Sequence, residues 1–327
     1  MVLVTDIKRT VYKGDKKKEK EITGFYMDGY LMKNLNPIPQ FLKKSWDCVG
    51  IVSGRGKVRV GKSTMAAQVC YYLAWLLAGG QMEVDDKNKI LEVKKPTSPV
   101  RFNLKENVVF SAEQLQSQAM ALYEKYGKNQ VIMYDEGRQG LESARTMESL
   151  NKGMEDFFQE CGFMGHVIII VLPNYFKLHE DYAVARSIFL IDVFADKNFS
   201  RGYFNFYNER QKEYLYFFGK KRVGVTAKYM ATNESFWGRF TQWLPFNKEE
   251  YDEIKKSAIN KKRRTRTERN LLLMRNILIW LLVKRGKWKN KEISKAMKDD
   301  WDFDFSIDRI NHIISDMNEI KLKEKGF

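Results

Sequence analysis

The chain has 327 residues, 44% apolar and 13% aromatic, enough for two domains with real cores, so wholesale disorder is excluded. Lysine and arginine number 57 against 41 aspartates and glutamates, and the formal charge of +16 favours polyanionic partners, nucleic acid ahead of an acidic membrane surface. Three scattered cysteines (Cys48, Cys70, Cys161) and three scattered histidines (His166, His179, His312) exclude a disulfide framework and a zinc-like ligand spacing.

Residues 1–45 hold a lysine-rich run and an Asn34-Leu-Asn-Pro-Ile-Pro stretch, and are expected to form an irregular leader. The first residues lack a basic segment followed by a long apolar run, so no secretory signal is expected and the cytoplasm is the expected location, that of the host if the source is viral. Residues 167–172 are too few to span a bilayer. Residues 271–283 are also few and carry Arg275, whereas a span takes about 20 apolar residues, so no integral membrane segment is expected.

Residues 46–250 are expected to form one α/β domain. Val49-Gly-Ile-Val-Ser53 reads as a strand, residues 54–61 as a glycine loop and residues 62–78, rich in alanine and leucine, as a helix. A polar insertion is expected over 83–100, then a strand at 107–111 whose last residue, Ser111, caps a helix. Residues 130–134, 166–172 and 187–194 are three more short apolar runs. Such runs alternating with helices predict a mostly parallel sheet covered on both faces. Aromatic stretches at 202–208 and 213–219 predict an antiparallel hairpin, about 202–219, at the sheet edge. Residues 251–269 read as a basic linker. Residues 270–327 read as a small helical domain with helices at 270–283, 290–298 and 306–317.

Gly56-Lys-Val-Arg-Val-Gly61-Lys62-Ser63 matches the phosphate-binding loop G-x-x-x-x-G-K-[ST], between a strand and a helix as that motif requires. Its glycines let backbone N–H groups curl around phosphate, and the helix N-terminus adds positive potential. Lys62 is expected to reach the β and γ oxygens and Ser63 to ligate Mg²⁺; Gly56, Gly61, Lys62, Ser63 and Thr64 form the expected ATP-binding set. Lys57 and Arg59 are extra cations within the loop. Residues 131–136 form an apolar strand ending in Asp135 and Glu136, with Asp135 expected to hold Mg²⁺ beside Ser63 and Glu136 to polarise the attacking water. Taken alone, such a run can also lead into a solvated acidic turn.

The loop and the doubly acidic strand tip resemble the additional-strand catalytic-glutamate class of P-loop NTPases, which includes RecA-like, AAA+ and HerA/FtsK motors. Tyr134-Asp-Glu-Gly-Arg138, Arg145-Thr-Met, Asn151, Leu172-Pro-Asn174, Ala185-Arg186-Ser187 and Gly202-Tyr-Phe look like the zonular-occludens-toxin-like ATPases of phages, viruses and mobile elements, over residues 45–245. The membrane anchor of the filamentous-phage members has no counterpart in this sequence. The resemblance implies a RecA-like core and a DNA translocase or packaging-type motor. Asn174 takes the place of the residue that senses the γ-phosphate, or else forms a plain Pro-Asn turn. Among Arg138, Arg145 and Arg186, the finger that stabilises transition-state charge is assigned to Arg186 or Arg145, the alternative for each being a surface ion pair. A finger donated by a neighbouring subunit implies a homo-oligomer, with a hexameric ring as its expected form.

The last two tail helices have the size of a helix-turn-helix or winged-helix unit, with Arg309 and Asn311 on the outer face toward duplex DNA; a helical oligomerisation or lid domain is the alternative. Lys261, Lys262, Arg263, Arg264 and Arg266 are expected to grip backbone phosphates, or else to be solvated. A non-motor ATP switch in partition, transposition targeting or replication initiation competes with the motor. A role in docking a membrane or an acidic protein competes with both.

Overall fold

Continuous apolar runs have no face to give to water, so they pair side by side under helices. The computed structural model describes residues 2–3, 8–11, 20–23, 26–44, 46, 48–55, 57, 59–84, 90–135, 162–301 and 306–324. The chain is an α/β protein that divides into two compact units, Met1–Lys255 and Lys256–Phe327. The first unit is built on a seven-stranded sheet with strands β1 Cys48–Ser53, β2 Val108–Val109, β3 Val131–Asp135, β4 Val167–Val171, β5 Ser187–Phe194, β6 Tyr203–Asn208 and β7 Phe236–Arg239.

The strand order is β7-β6-β5-β1-β4-β3-β2, so β4 lies between the strand that feeds the glycine loop and the strand that ends in Asp135. The five strands β5, β1, β4, β3 and β2 are mutually parallel, β6 runs antiparallel to β5, and β7 antiparallel to β6. Every residue of β1, β3 and β4 is buried, as strands covered on both faces must be. Gly50 is needed at the centre of β1, because a Cβ there would lie 2.2 Å from the Phe189 ring.

The longer helices are α1 Gly29–Leu35, α2 Ile38–Lys43, α3 Lys62–Leu77, α4 Ala112–Tyr126, α5 Glu209–Lys220, α6 Val225–Tyr229, α7 Lys248–Lys284, α8 Asn290–Trp301 and α9 Ile307–Glu324. As expected, the Ser111 hydroxyl caps α4 by accepting from the Gln114 N–H at 3.2 Å. Leu115, Ala119 and Leu122 of α4 pack in one apolar cluster with Leu215 and Tyr216 of α5 against the sheet. α3 is buried nearly all round, with Met65, Ala66, Val69, Cys70, Tyr72, Leu73 and Trp75 all hidden.

Four expectations are corrected. Residues 1–45 are not an irregular leader throughout. Asp28 caps α1 through the Tyr30 and Leu31 N–H groups, and Leu31, Met32, Leu35, Ile38 and Leu42 are buried. The two prolines misled because Pro37 and Pro39 stand at the start of α2, where a missing N–H costs nothing. The hairpin at about 202–219 has its first strand as β6, but residues 213–219 belong to α5. Asn208 caps that helix by accepting from the Gln211 N–H at 3.0 Å, and the buried positions Lys212, Leu215, Tyr216 and Gly219 recur with helical spacing. The antiparallel partner of β6 on its outer side is β7, with Tyr203 opposite Arg239. The polar insertion at 83–100 is likewise partly ordered, since Gln81–Val84 pairs antiparallel with Ile90–Lys94.

The fourth correction concerns residues 251–269, which lie inside α7 rather than in a linker. Dense charge argues against burial and not against helicity, because glutamate, lysine and arginine are good helix formers and the acids Glu249 and Glu250 sit in the first turn, where the helix dipole favours them. In the second unit, Ile279, Ile293, Ile310 and Ile313 form a small core flanked by Val283, Met297, Ile314 and Met317, and the Trp280 indole N–H donates to Asn318 Oδ1 at 2.9 Å. This is the expected three-helix module. Among its described residues there is no strand that could form the wing of a winged helix.

Candidate functional site

β1 ends at Ser53, and the chain turns through Gly54 into the loop that opens α3. Arg55 (φ 46°), Arg59 (φ 59°) and Gly61 (φ 103°) all take left-handed backbone, and Gly61 is the N-cap of α3. Only glycine adopts φ 103° without strain, and a Cβ at Gly61 would also come within 2.9 Å of the Phe240 ring. The Lys62 side chain folds back over the loop and its ammonium donates to the Lys57 carbonyl at 2.7 Å. Burial lowers the Lys62 pKa to about 8; the Asp135 carboxylate opposes that shift and the Lys255 ammonium adds to it.

Asp135 ends β3 and is buried. Through β4 it is level with the end of β1, since Val171 pairs with Asp135 on one side and with Val52 on the other. Two residues from the first two turns of α7 reach the same carboxylate oxygen. The Tyr251 hydroxyl donates to Asp135 Oδ2, and the Lys255 ammonium lies 2.8 Å from it. Lys255 also donates to Ser63 Oγ at 3.3 Å and to the Tyr251 hydroxyl at 3.0 Å. Tyr251 is gripped by the rings of Phe110 and Phe246. The segment leading to α7 is pinned across α3 by Gln68, whose amide donates to the carbonyls of Thr241 at 2.7 Å and Trp243 at 2.8 Å.

On the other side of β1, Asp192 of β5 pairs in register with Ser53 and is fully buried. The Arg55 guanidinium donates to its Oδ2 at 2.7 Å and lies 4.8 Å from the Phe194 ring centre. Burial pushes the Asp192 carboxyl up to about 7, against the pull of Arg55. Its second oxygen has no hydrogen-bond partner among the described residues. The Tyr229 hydroxyl accepts from the Tyr175 N–H at 2.9 Å and bonds the Ser53 hydroxyl at 3.0 Å, tying the end of β1 to the turn after β4.

Of the residues singled out in the sequence, the structure gathers Gly61, Lys62, Ser63 and Asp135 at one end of the sheet, with Thr64 in the first turn of α3. Gly56, Glu136, Arg138, Arg145 and Asn151 lie outside the described residues. Asn174 stands three residues beyond β4, and its side chain accepts from the Phe176 N–H at 3.1 Å, capping the turn Tyr175–Lys177. Arg186 precedes β5, whose first residue pairs with Val49 at the start of β1. It is therefore separated from the loop by the length of the strand, roughly 13 Å, and is out of reach of its own phosphate loop. Lys261, Lys262, Arg263, Arg264 and Arg266 lie on α7 in the second unit, as a helical segment. Arg309 and Asn311 are exposed on α9, as expected of an outer face, but the Asn311 side chain already accepts from the Asn290 amide at 2.6 Å.

Sequence reasoning missed Tyr251, Lys255, Arg55, Asp192 and Tyr229. None belongs to a motif, and Tyr251 and Lys255 reach Asp135 from 116 and 120 residues away along the chain. Among the described residues, no group of three or more His, Cys, Asp and Glu gathers as a metal cluster, and no described helix is long and apolar enough to cross a membrane.

No protein-family model, curated protein or solved structure matches this chain.

Proposed function

We propose that the chain is a Mg²⁺-dependent ATPase with a RecA-like core that acts on duplex DNA, as a translocase or packaging-type motor of a virus or mobile element. One observation carries the reading: Ser63 Oγ and Asp135 Oδ2, the oxygens this chemistry requires side by side, converge on a single cationic atom, the Lys255 ammonium, beside a glycine loop at a helix N-terminus. Ser63 and Asp135 would hold Mg²⁺, since both are hard oxygen donors. Bound there, the ion would supply positive charge to offset that of the nucleotide's phosphates. The strand order, with β4 inserted between β1 and β3, supports the catalytic-glutamate class.

In this reading the loop N–H groups cradle the phosphates and Lys62 leaves the Lys57 carbonyl for the β and γ oxygens, whose charge raises its pKa again. Glu136 is the base toward water, and Asn174 exchanges its local cap for the γ-phosphate. An arginine finger comes from a neighbouring copy, Arg186 or Arg145, in a ring-shaped homo-oligomer. The second unit is a helix-turn-helix-like DNA-binding module, and the protein works in the cytoplasm.

Titration of duplex DNA into the full chain over a salt series tests the DNA assignment. Replacing Lys261, Lys262, Arg263, Arg264 and Arg266 with glutamine keeps helix propensity and removes five cations. The slope of log K against log salt is expected to shrink by about 0.9 per lost contact, up to roughly 4 to 5 in all. Tight duplex binding with an unchanged slope would show that this run is not the phosphate grip.

A further inference from the structure

We infer that Tyr251 and Lys255 are additional residues of the divalent-cation site, with the Lys255 ammonium as a resident cation that Mg²⁺ must displace. The inference rests on the nucleotide-binding reading above. Four contacts locate it. Lys255 Nζ lies 2.8 Å from Asp135 Oδ2 and 3.3 Å from Ser63 Oγ, the same two oxygens assigned to the metal, and 3.0 Å from the Tyr251 hydroxyl, which itself donates to Asp135 Oδ2.

The arrangement has a clear electrostatic cause. A carboxylate as buried as Asp135 is costly unless compensated, and in the ligand-free chain the charge comes from Lys255 and a further hydrogen bond from Tyr251. An ammonium 2.8 Å from Asp135 Oδ2 and 3.3 Å from Ser63 Oγ fills the space that a metal ion held by those two oxygens would need. Binding of Mg²⁺ and retention of Lys255 in its present place are therefore mutually exclusive. Tyr251 and Lys255 sit at i and i+4 on α7, so one helix face brings both groups to the carboxylate. Lys255 keeps about a fifth of its side-chain surface in contact with solvent, which gives the displaced ammonium a way out to water.

The test measures affinity rather than turnover. Binding of a fluorescent, non-hydrolysable ATP analogue to the full chain is followed as Mg²⁺ is raised, and Mn²⁺ binding in the presence of ADP is followed by electron paramagnetic resonance. If the Lys255-free arrangement is populated in about one molecule in ten, Lys255→Met is expected to lower the divalent-ion midpoint about tenfold in both assays. Lys255→Arg, which keeps the charge, is expected to hold the midpoint near that of the parent chain. Lys255→Gln, with a neutral hydrogen-bonding end, is expected to follow Lys255→Met and serves if the methionine variant does not fold. An unchanged or raised midpoint in the neutral variants, with the analogue still bound, overturns this inference alone. Failure of the parent chain and all variants to bind either Mn²⁺ or the analogue overturns it together with the nucleotide reading.

Discussion

Lys62→Ala is expected to lower Mg²⁺-dependent ATP hydrolysis by about a thousandfold or more, because it removes the cation that reaches the β and γ phosphates as charge develops on them. The far-ultraviolet circular dichroism and the melting temperature should stay close to those of the parent chain, since the Lys62 ammonium is held by a loop carbonyl and anchors no element of the sheet. Hydrolysis by the folded variant at the parental rate would remove the phosphate loop from the chemistry.

Glu136→Gln should separate binding from turnover. The substitution keeps shape and takes away the base, so hydrolysis is expected to fall by about 10² to 10⁴ while ATP stays bound. Trapped nucleotide should also lengthen the life of any oligomer, which size-exclusion chromatography with ATP and Mg²⁺ would reveal as a persistent larger species. Loss of ATP binding in this variant would instead make Glu136 a structural residue.

The parts of this molecule that could be read from sequence are those where local pattern and tertiary role coincide. β1, β3, β4 and β5 were legible because a strand covered on both faces must be mostly apolar, and the glycine loop because a tight phosphate-binding turn demands glycine at set intervals. Residues 213–219 misled because aromatic residues suggest strands, while the cap at Asn208 and the buried spacing of Lys212, Leu215 and Tyr216 decide for a helix. Lys212 conceals the pattern further. It is a buried lysine whose ammonium donates to the carbonyls of Ala183 and Val184 at 2.9 and 2.7 Å, so it occupies a core position that its residue type does not announce.

The site was legible by half. Ser63 and Asp135 carry motif spacing, whereas Tyr251 and Lys255 stand in a charged stretch whose composition suggests solvent and whose partners are visible only in three dimensions. Asp192 has the same history. On sequence it is one carboxylate in an apolar run, and the fold gives it Arg55 and a place beside Ser53.

The rate of ATP hydrolysis by the full chain, measured with Mg²⁺ in the presence and absence of long duplex DNA, tests the central claim most directly. The account predicts hydrolysis that requires Mg²⁺ and rises many-fold with duplex DNA. A folded chain that hydrolyses no ATP under either condition would contradict it.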